Sequence, residues 1–248
     1  MVPYLDITAR WRPRLESTKE TAGRLARWLA GIAALDRRFM GWHRNGMRYR
    51  SAVPRAITMP PVVDELRIWL EENPSIESRD GRKHLAGYYV MARRPDEALP
   101  HANFWLSPRC TLRYDGFGNR IGTTFFTDRD TDRADHLTAV VRNALLITAS
   151  AWDCEWAAAA HGNFEDMSLP QKKLLKYESG WMVYLDEAAA SRLHEPQYVT
   201  VERVVAGGVL LVAIENAIFD RRNALHIAAG RRLQAALAPL NADGGKDD

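Results

Sequence analysis

Residues 131–160 read TDRADHLTAVVRNALLITASAWDCEWAAAA, and the change of period inside this stretch decides the fold class. Leu137, Val140, Val141, Ala144 and Leu145 recur at three- and four-residue intervals, the repeat of a helix with one buried face. The spacing predicts a helix over about 132–150, with Thr148 the first polar residue on its stripe. From Cys154 to Ala160 that repeat is gone and a short apolar run remains, which reads as a strand.

The same alternation continues on both sides. Upstream, Leu5, Ile7, Ala9 and Trp11 alternate with polar residues, as in a strand with one buried face. Ser17 and Glu20 have capping-box spacing and open a helix whose apolar stripe is Ala22, Leu25, Ala26, Leu29, Ile32 and Ala33. The segment FMGWHRNGMRYR (39–50) reads as irregular, and Pro60-Pro61 opens a second helix that stops at Pro74. Strands are expected at 84–92, 101–106, 110–114 and 120–127, the last two joined by a loop around Asp115-Gly116-Phe117-Gly118-Asn119.

Downstream, Trp181–Leu185 reads as a strand, and 198–215 as a hairpin turning on Gly207-Gly208. A last helix is expected at 224–239, with Ala229, Leu233, Ala236 and Leu237 inward. The expected fold class is α+β, with helices packed on largely antiparallel sheet. No Pro/Gly/Ser-rich linker divides the chain, so 1–240 reads as one domain and 241–248 as a flexible polar tail. The order of elements also permits two pseudo-repeated halves.

Composition bounds the function. The 248 residues are 46% apolar and 26% charged, enough for a sizeable core and incompatible with a disordered or collagenous chain. Cys110 and Cys154 form no C-x-x-C pair, which fits a reducing compartment. The opening residues show no apolar signal region, and VVAGGVLLVAI (204–214) is about half of what a membrane helix needs; a cytoplasmic protein is expected. Net charge is +3, but residues 6–57 carry eleven arginines and one lysine against four acids. That bias suggests either a solvated arginine-rich face or a nucleic-acid contact in which Trp42 and Tyr49 stack on bases. Trp11, Trp28 and Trp69 lie on or beside inward stripes and are assigned to the core.

No assembled catalytic motif is present. There is no G-x-S-x-G elbow, no P-loop and no H-E-x-x-H. Gly116, Gly118 and Gly122 miss dinucleotide spacing and lie between expected strands, away from a helix N-terminus. Asp128, Asp130 and Asp132 form a D-x-D-x-D run, but an EF-hand would need Gly at 133 and Glu at 139, where Arg133 and Ala139 stand. Capping of the following helix explains those acids. Asp153 and Glu155 resemble the start of a metal-nuclease site, yet no acid in the chain has a lysine two residues later. The expectation is a non-enzyme with no cofactor and no metal.

Several stretches resemble the immunity protein 52 family of bacterial polymorphic-toxin systems. They are YLDITARW (4–11) with DRRFMGW (36–42), SGWMVYL (179–185) and GGVLLVAIENAIFDRRNALHIAAGRRL (207–233). Gly180, Trp181, Tyr184, Phe219 and His226 fall within the pattern. The resemblance implies an α+β antitoxin that binds a cognate secreted toxin, of the restriction-endonuclease-like nuclease class, delivered by a contact-dependent or type VI secretion route. It supplies no catalytic residues. An acidic contact surface would complement a nuclease, and the candidates are Asp128, Asp130, Asp132 and Asp135; Glu71 and Glu72; and Glu165 and Asp166. Because the chain is basic overall, inhibition away from the DNA cleft is slightly preferred over DNA mimicry. The alternative function is nucleic-acid binding through the basic, aromatic-containing 10–55 segment.

Overall fold

The structure is a computed structural model. It describes residues 4–12, 14–45, 55–79, 82–93, 103–107, 119–126, 134–161, 180–193, 199–204, 207–215, 217, 219–220 and 222–243. Along the chain the elements are β1 (Tyr4–Arg10), α1 (Thr18–Ala33), a 3-10 turn (Arg37–Phe39), β2 (His43–Asn45), β3 (Arg55–Ala56) and α2 (Val63–Glu71). Then come β4 (Pro74–Arg79), β5 (Arg82–Tyr88), β6 (Val90–Arg93), β7 (Asn103–Ser107), β8 (Arg120–Phe126) and α3 (Ala134–Trp152). The chain continues with β9 (Trp156–His161), β10 (Met182–Leu185), α4 (Glu187–Ala190), β11 (Thr200–Arg203), β12 (Val209–Val212) and α5 (Ala224–Asp243). The class is α+β. No helix among the described residues is long and apolar enough to cross a membrane.

Two compact units divide the chain, Arg10–Phe126 and Met1–Ala9 with Thr127–Asp248. In the first, β8-β7-β6-β2-β3 lie side by side with antiparallel pairing, and β4-β5 form a separate hairpin. Helix α1 starts where its sequence specifies. The Ser17 hydroxyl accepts from the Glu20 backbone N–H, and the Glu20 carboxylate accepts from the Ser17 N–H at 2.7 Å. The bonds that the Glu20 carboxylate accepts from the Ser17 N–H and from the Ser17 hydroxyl hold it below its ordinary range.

The core of this unit centres on Phe104 of β7. Trp28 of α1, Trp42 and Trp69 of α2 each make a T-shaped contact with it, with ring centroids 5.0, 5.1 and 6.2 Å away. Edge-to-face packing sets the positive rim of one ring against the negative face of another. The alternative nucleic-acid reading needs Trp42 exposed as a base-stacker; it is instead fully buried, its ring packed against Phe104. Tyr49, its expected companion, lies outside the described residues.

In the second unit the strand order is β11-β12-β10-β9-β1, with β9, β10, β12 and β11 antiparallel in succession. Trp156 and Ala158 of β9, Val183 and Leu185 of β10 and Leu211 of β12 share one face, packed with Leu233, Leu237 and Leu240 of α5. Helix α5 passes through Pro239 and ends at Asp243, beyond the expected limit of 239. Leu240 continues its buried stripe, which is why the last turn persists. Helix α3 buries Leu137, Val140, Val141, Ala144, Leu145, Thr148, Ala149 and Trp152, carrying the expected stripe about one turn beyond Thr148.

Candidate functional site

Helix α3 ends on a Schellman motif. Asp153 takes φ of 45°, and the Cys154 N–H reaches back to the Ala149 carbonyl at 2.9 Å. Asp is among the few non-glycine residues that visit this left-handed region readily. The turn leaves Asp153 exposed, buries Cys154 and Glu155, and sends the chain into β9. The Cys154 thiol donates to the Thr148 carbonyl at 3.6 Å.

Beside this turn, where β10 ends against the start of β9, the Asp186 N–H donates to the Glu155 carbonyl at 3.1 Å. The Asp186 carboxylate then caps α4 by accepting from the Ala189 N–H at 2.7 Å. Tyr184 of β10, 7% exposed, donates its hydroxyl to the Gly207 carbonyl at 3.0 Å. Gly207 and Gly208 both have positive φ, 87° and 88°, and turn β11 into β12.

These segments line an open cleft of about 700 Å³, bordered by Ala149, Ser150, Asp153, Cys154, Tyr184, Asp186, Glu187, Ala188, Ser191 and Gly207. Its walls carry three carboxyl groups and three hydroxyls, and none of these lining residues is Lys, Arg or His. Burial pushes the Tyr184 phenol up to about 12, and Cys154, Asp186 and Asp153 push it the same way by opposing a second negative charge. Such a site can bind a cationic or hydrogen-bond-donating group. Among the described residues, no three His, Cys, Asp or Glu side chains group to hold a metal ion. Asp153 and Glu155, read as a possible ligand pair on one strand face, precede β9, one exposed and the other buried.

The acidic contact candidates fare differently. Asp128, Asp130, Asp132, Glu165 and Asp166 lie outside the described residues. Asp135 is exposed in the first turn of α3. Glu71 and Glu72 are exposed at the end of α2, in the other unit, and Glu71 is already held by both oxygens to Arg67 Nη1 at 2.8 Å. Sequence reasoning missed Asp186 and Glu187. The available signal was the L-D-E-A-A-A run, an Asp cap followed by helix formers.

The basic segment is partly neutralised from within. Glu16 Oε1 accepts from Arg14 and Arg24 at 2.7 and 2.6 Å, and Arg44 bonds Glu65 at 3.2 Å while lying over the Trp69 ring.

No protein-family model matches the sequence, and no curated protein matches it. The fold is similar to that of a Pseudomonas aeruginosa T6SS (type VI secretion system) protein, with a TM-score of 0.54 at 11% sequence identity, over 96% of this chain and 73% of that one. At so low an identity the likeness is one of architecture: the two chains share an α+β fold.

Proposed function

We propose that this chain is an immunity protein of a bacterial toxin-delivery system. It binds a cognate nuclease-like effector stoichiometrically in the cytoplasm of the producing cell and performs no chemistry of its own. The observation that carries the reading is the fold likeness to a T6SS protein over 96% of the chain. The immunity-family resemblance at 4–11, 36–42, 179–185 and 207–233 points the same way. A net charge of +3 favours binding away from the toxin's DNA cleft over mimicry of DNA. The competing nucleic-acid reading loses support, since Trp42 is buried and Arg14, Arg24 and Arg44 are engaged by carboxylates.

The test is co-expression with the toxin domain encoded in the adjacent reading frame. The expected result is restored growth and co-elution of the two chains as one complex. Cell death despite equal expression, with no complex on size exclusion, would remove the proposal.

A further inference from the structure

We infer that β11 is the docking edge for a second copy of this chain, the two copies joining β11 to β11 antiparallel about a two-fold axis at Val201. The inference goes beyond the toxin-binding reading and does not depend on it. It starts from where the sheet of the second unit stops. β11 is the last strand there, paired on one side with β12 and on the other with no strand among the described residues. Val204 shows which way the backbone groups turn. Its N–H donates to the Gly208 carbonyl at 3.2 Å and its carbonyl accepts from the Gly207 N–H at 2.9 Å, so both groups face β12. Backbone direction alternates along a strand. Thr200 and Glu202 therefore also face β12, while Val201 and Arg203 turn their N–H and C=O outward. Groups in that spacing are matched by another strand.

The side chains of this edge fit their own copy. Val201 lies opposite Leu211 and so shares the face that packs under α5, yet it is 46% exposed. The apolar layer thus runs past the helix to the edge of the sheet, and Val199 packs on the same layer beside it. A two-fold axis normal to the sheet sets one residue against its own copy. At Glu202 or Arg203 it would oppose like charges, which destabilises a cross-strand pair. At Val201 it joins two residues whose backbone groups both turn outward, so each N–H donates to the other's carbonyl. Val199 and Val201 of both copies then form one apolar patch. Each Arg203 crosses a Val199, its stem covering apolar surface and its head reaching water. On the opposite face each Thr200 hydroxyl meets Glu202 of the other copy, a carboxylate whose charge Arg142 of α3 already offsets. No like charges are opposed across β11 in this register.

The test is sedimentation velocity of the full chain over a dilution series. A reversible monomer–dimer equilibrium is expected. Val201→Lys sets two ammonium groups against each other on the axis and should leave only monomer. Its urea midpoint should stay close to that of wild type, because the position is half exposed at the sheet edge. Should that variant be unstable, cross-linking reads the register instead. Val201→Cys should form a disulfide dimer under mild oxidation, since residues exchanging both backbone bonds bring their Cα atoms to about 5.5 Å, within disulfide reach. Arg203→Cys, which faces Val199 of the other copy, should cross-link no faster than wild type, whose Cys110 and Cys154 set the background. A wild type that stays monomeric to its solubility limit, a dimer that survives Val201→Lys, or equal cross-linking at 201 and 203 would overturn the inference. Toxin binding is scored separately. A monomer that still protects cells overturns the dimer and leaves the immunity reading standing, whereas a dimer that binds no toxin removes that reading alone.

Discussion

Gly207 and Gly208 are chemically identical neighbours in one turn, and the structure assigns them different costs on substitution. Both have positive φ, so an added Cβ at either position meets the left-handed penalty of about 1–2 kcal/mol. At Gly207 nothing lies within 4 Å of that Cβ, and the penalty is the whole effect. At Gly208 the Cβ would fall on the Leu185 carbonyl oxygen, with Asp186 Cα and the Tyr184 hydroxyl each at 3.1 Å. Two of these atoms are backbone in the β10–α4 junction and cannot swing aside, so overpacking adds about 1–3 kcal/mol. Gly207→Ala should therefore cost about 1–2 kcal/mol and Gly208→Ala about 2–5 kcal/mol. Urea unfolding of the three proteins, read as midpoint shifts at constant m, measures the difference. Equal midpoints for the two variants would refute the close approach of the turn to Leu185, and with it the geometry of that wall of the cleft.

Other positions give further tests. Thr123 of β8 is buried, and its hydroxyl finds no hydrogen-bond partner among the described residues; Thr123→Val should raise stability by about 1 kcal/mol, seen as a higher urea midpoint. Ser17→Ala removes the α1 cap and should cost about 1 kcal/mol. Because Glu20 is lowered below 4.5, the capping box stabilises the fold above that pH. The stability is lost as pH falls through the lowered value, so the gap between wild type and Ser17→Ala should narrow in acid titrations. Tyr184 is raised from 10.0 to about 12, so its contribution is intact below pH 10 and is lost as pH rises through 12. The wild-type minus Tyr184→Phe phenolate absorbance should titrate near 12 rather than near 10.

What could be read in advance follows from how local each signal is. Helix α1 was legible because Ser17, Glu20 and the Leu25–Ile32 stripe lie within one segment and act on one another. The β11–β12 hairpin was legible because positive φ at Gly207 and Gly208 is a property of the residues themselves. Strands β2, β3 and β4 were not anticipated. The first two are three and two residues long, too short to show a period, and β4 reads PSIESR, which has a proline at its head and among the described residues pairs only with β5. Trp42 was misplaced for a related reason: its burial is decided by Phe104, more than sixty residues away, and nothing beside it in sequence announces that. The cleft was the hardest to see. Its acids come from 153 and from 186–187, and its Schellman turn uses Asp where glycine would have been the readable sign.

The residues that carry the family resemblance prove to be occupied with building the second unit. A side chain at Gly180 would strike the Ala159 carbonyl, so β9 and β10 can approach only if that position stays bare. Trp181 donates its indole N–H to the Ile214 carbonyl at 2.9 Å, and Tyr184 donates to Gly207. His226 Nδ1 accepts from the Asp220 N–H at 2.8 Å, with Phe219 against its ring, and so fixes the approach to α5. Each of these residues is engaged within the fold, and Trp181 and Phe219 are almost wholly buried. A motif made of such positions transmits an architecture from one protein to another without transmitting a binding specificity. On the proposed function, discrimination between partners falls to side chains that the architecture displays without needing them, and Glu187, exposed at the start of α4, meets that condition in this chain. Exchanging Glu187 should leave the urea midpoint in place, whereas exchanging Gly180 or Trp181 should lower it sharply, because each of those positions is needed where β9, β10 and the segment after β12 meet.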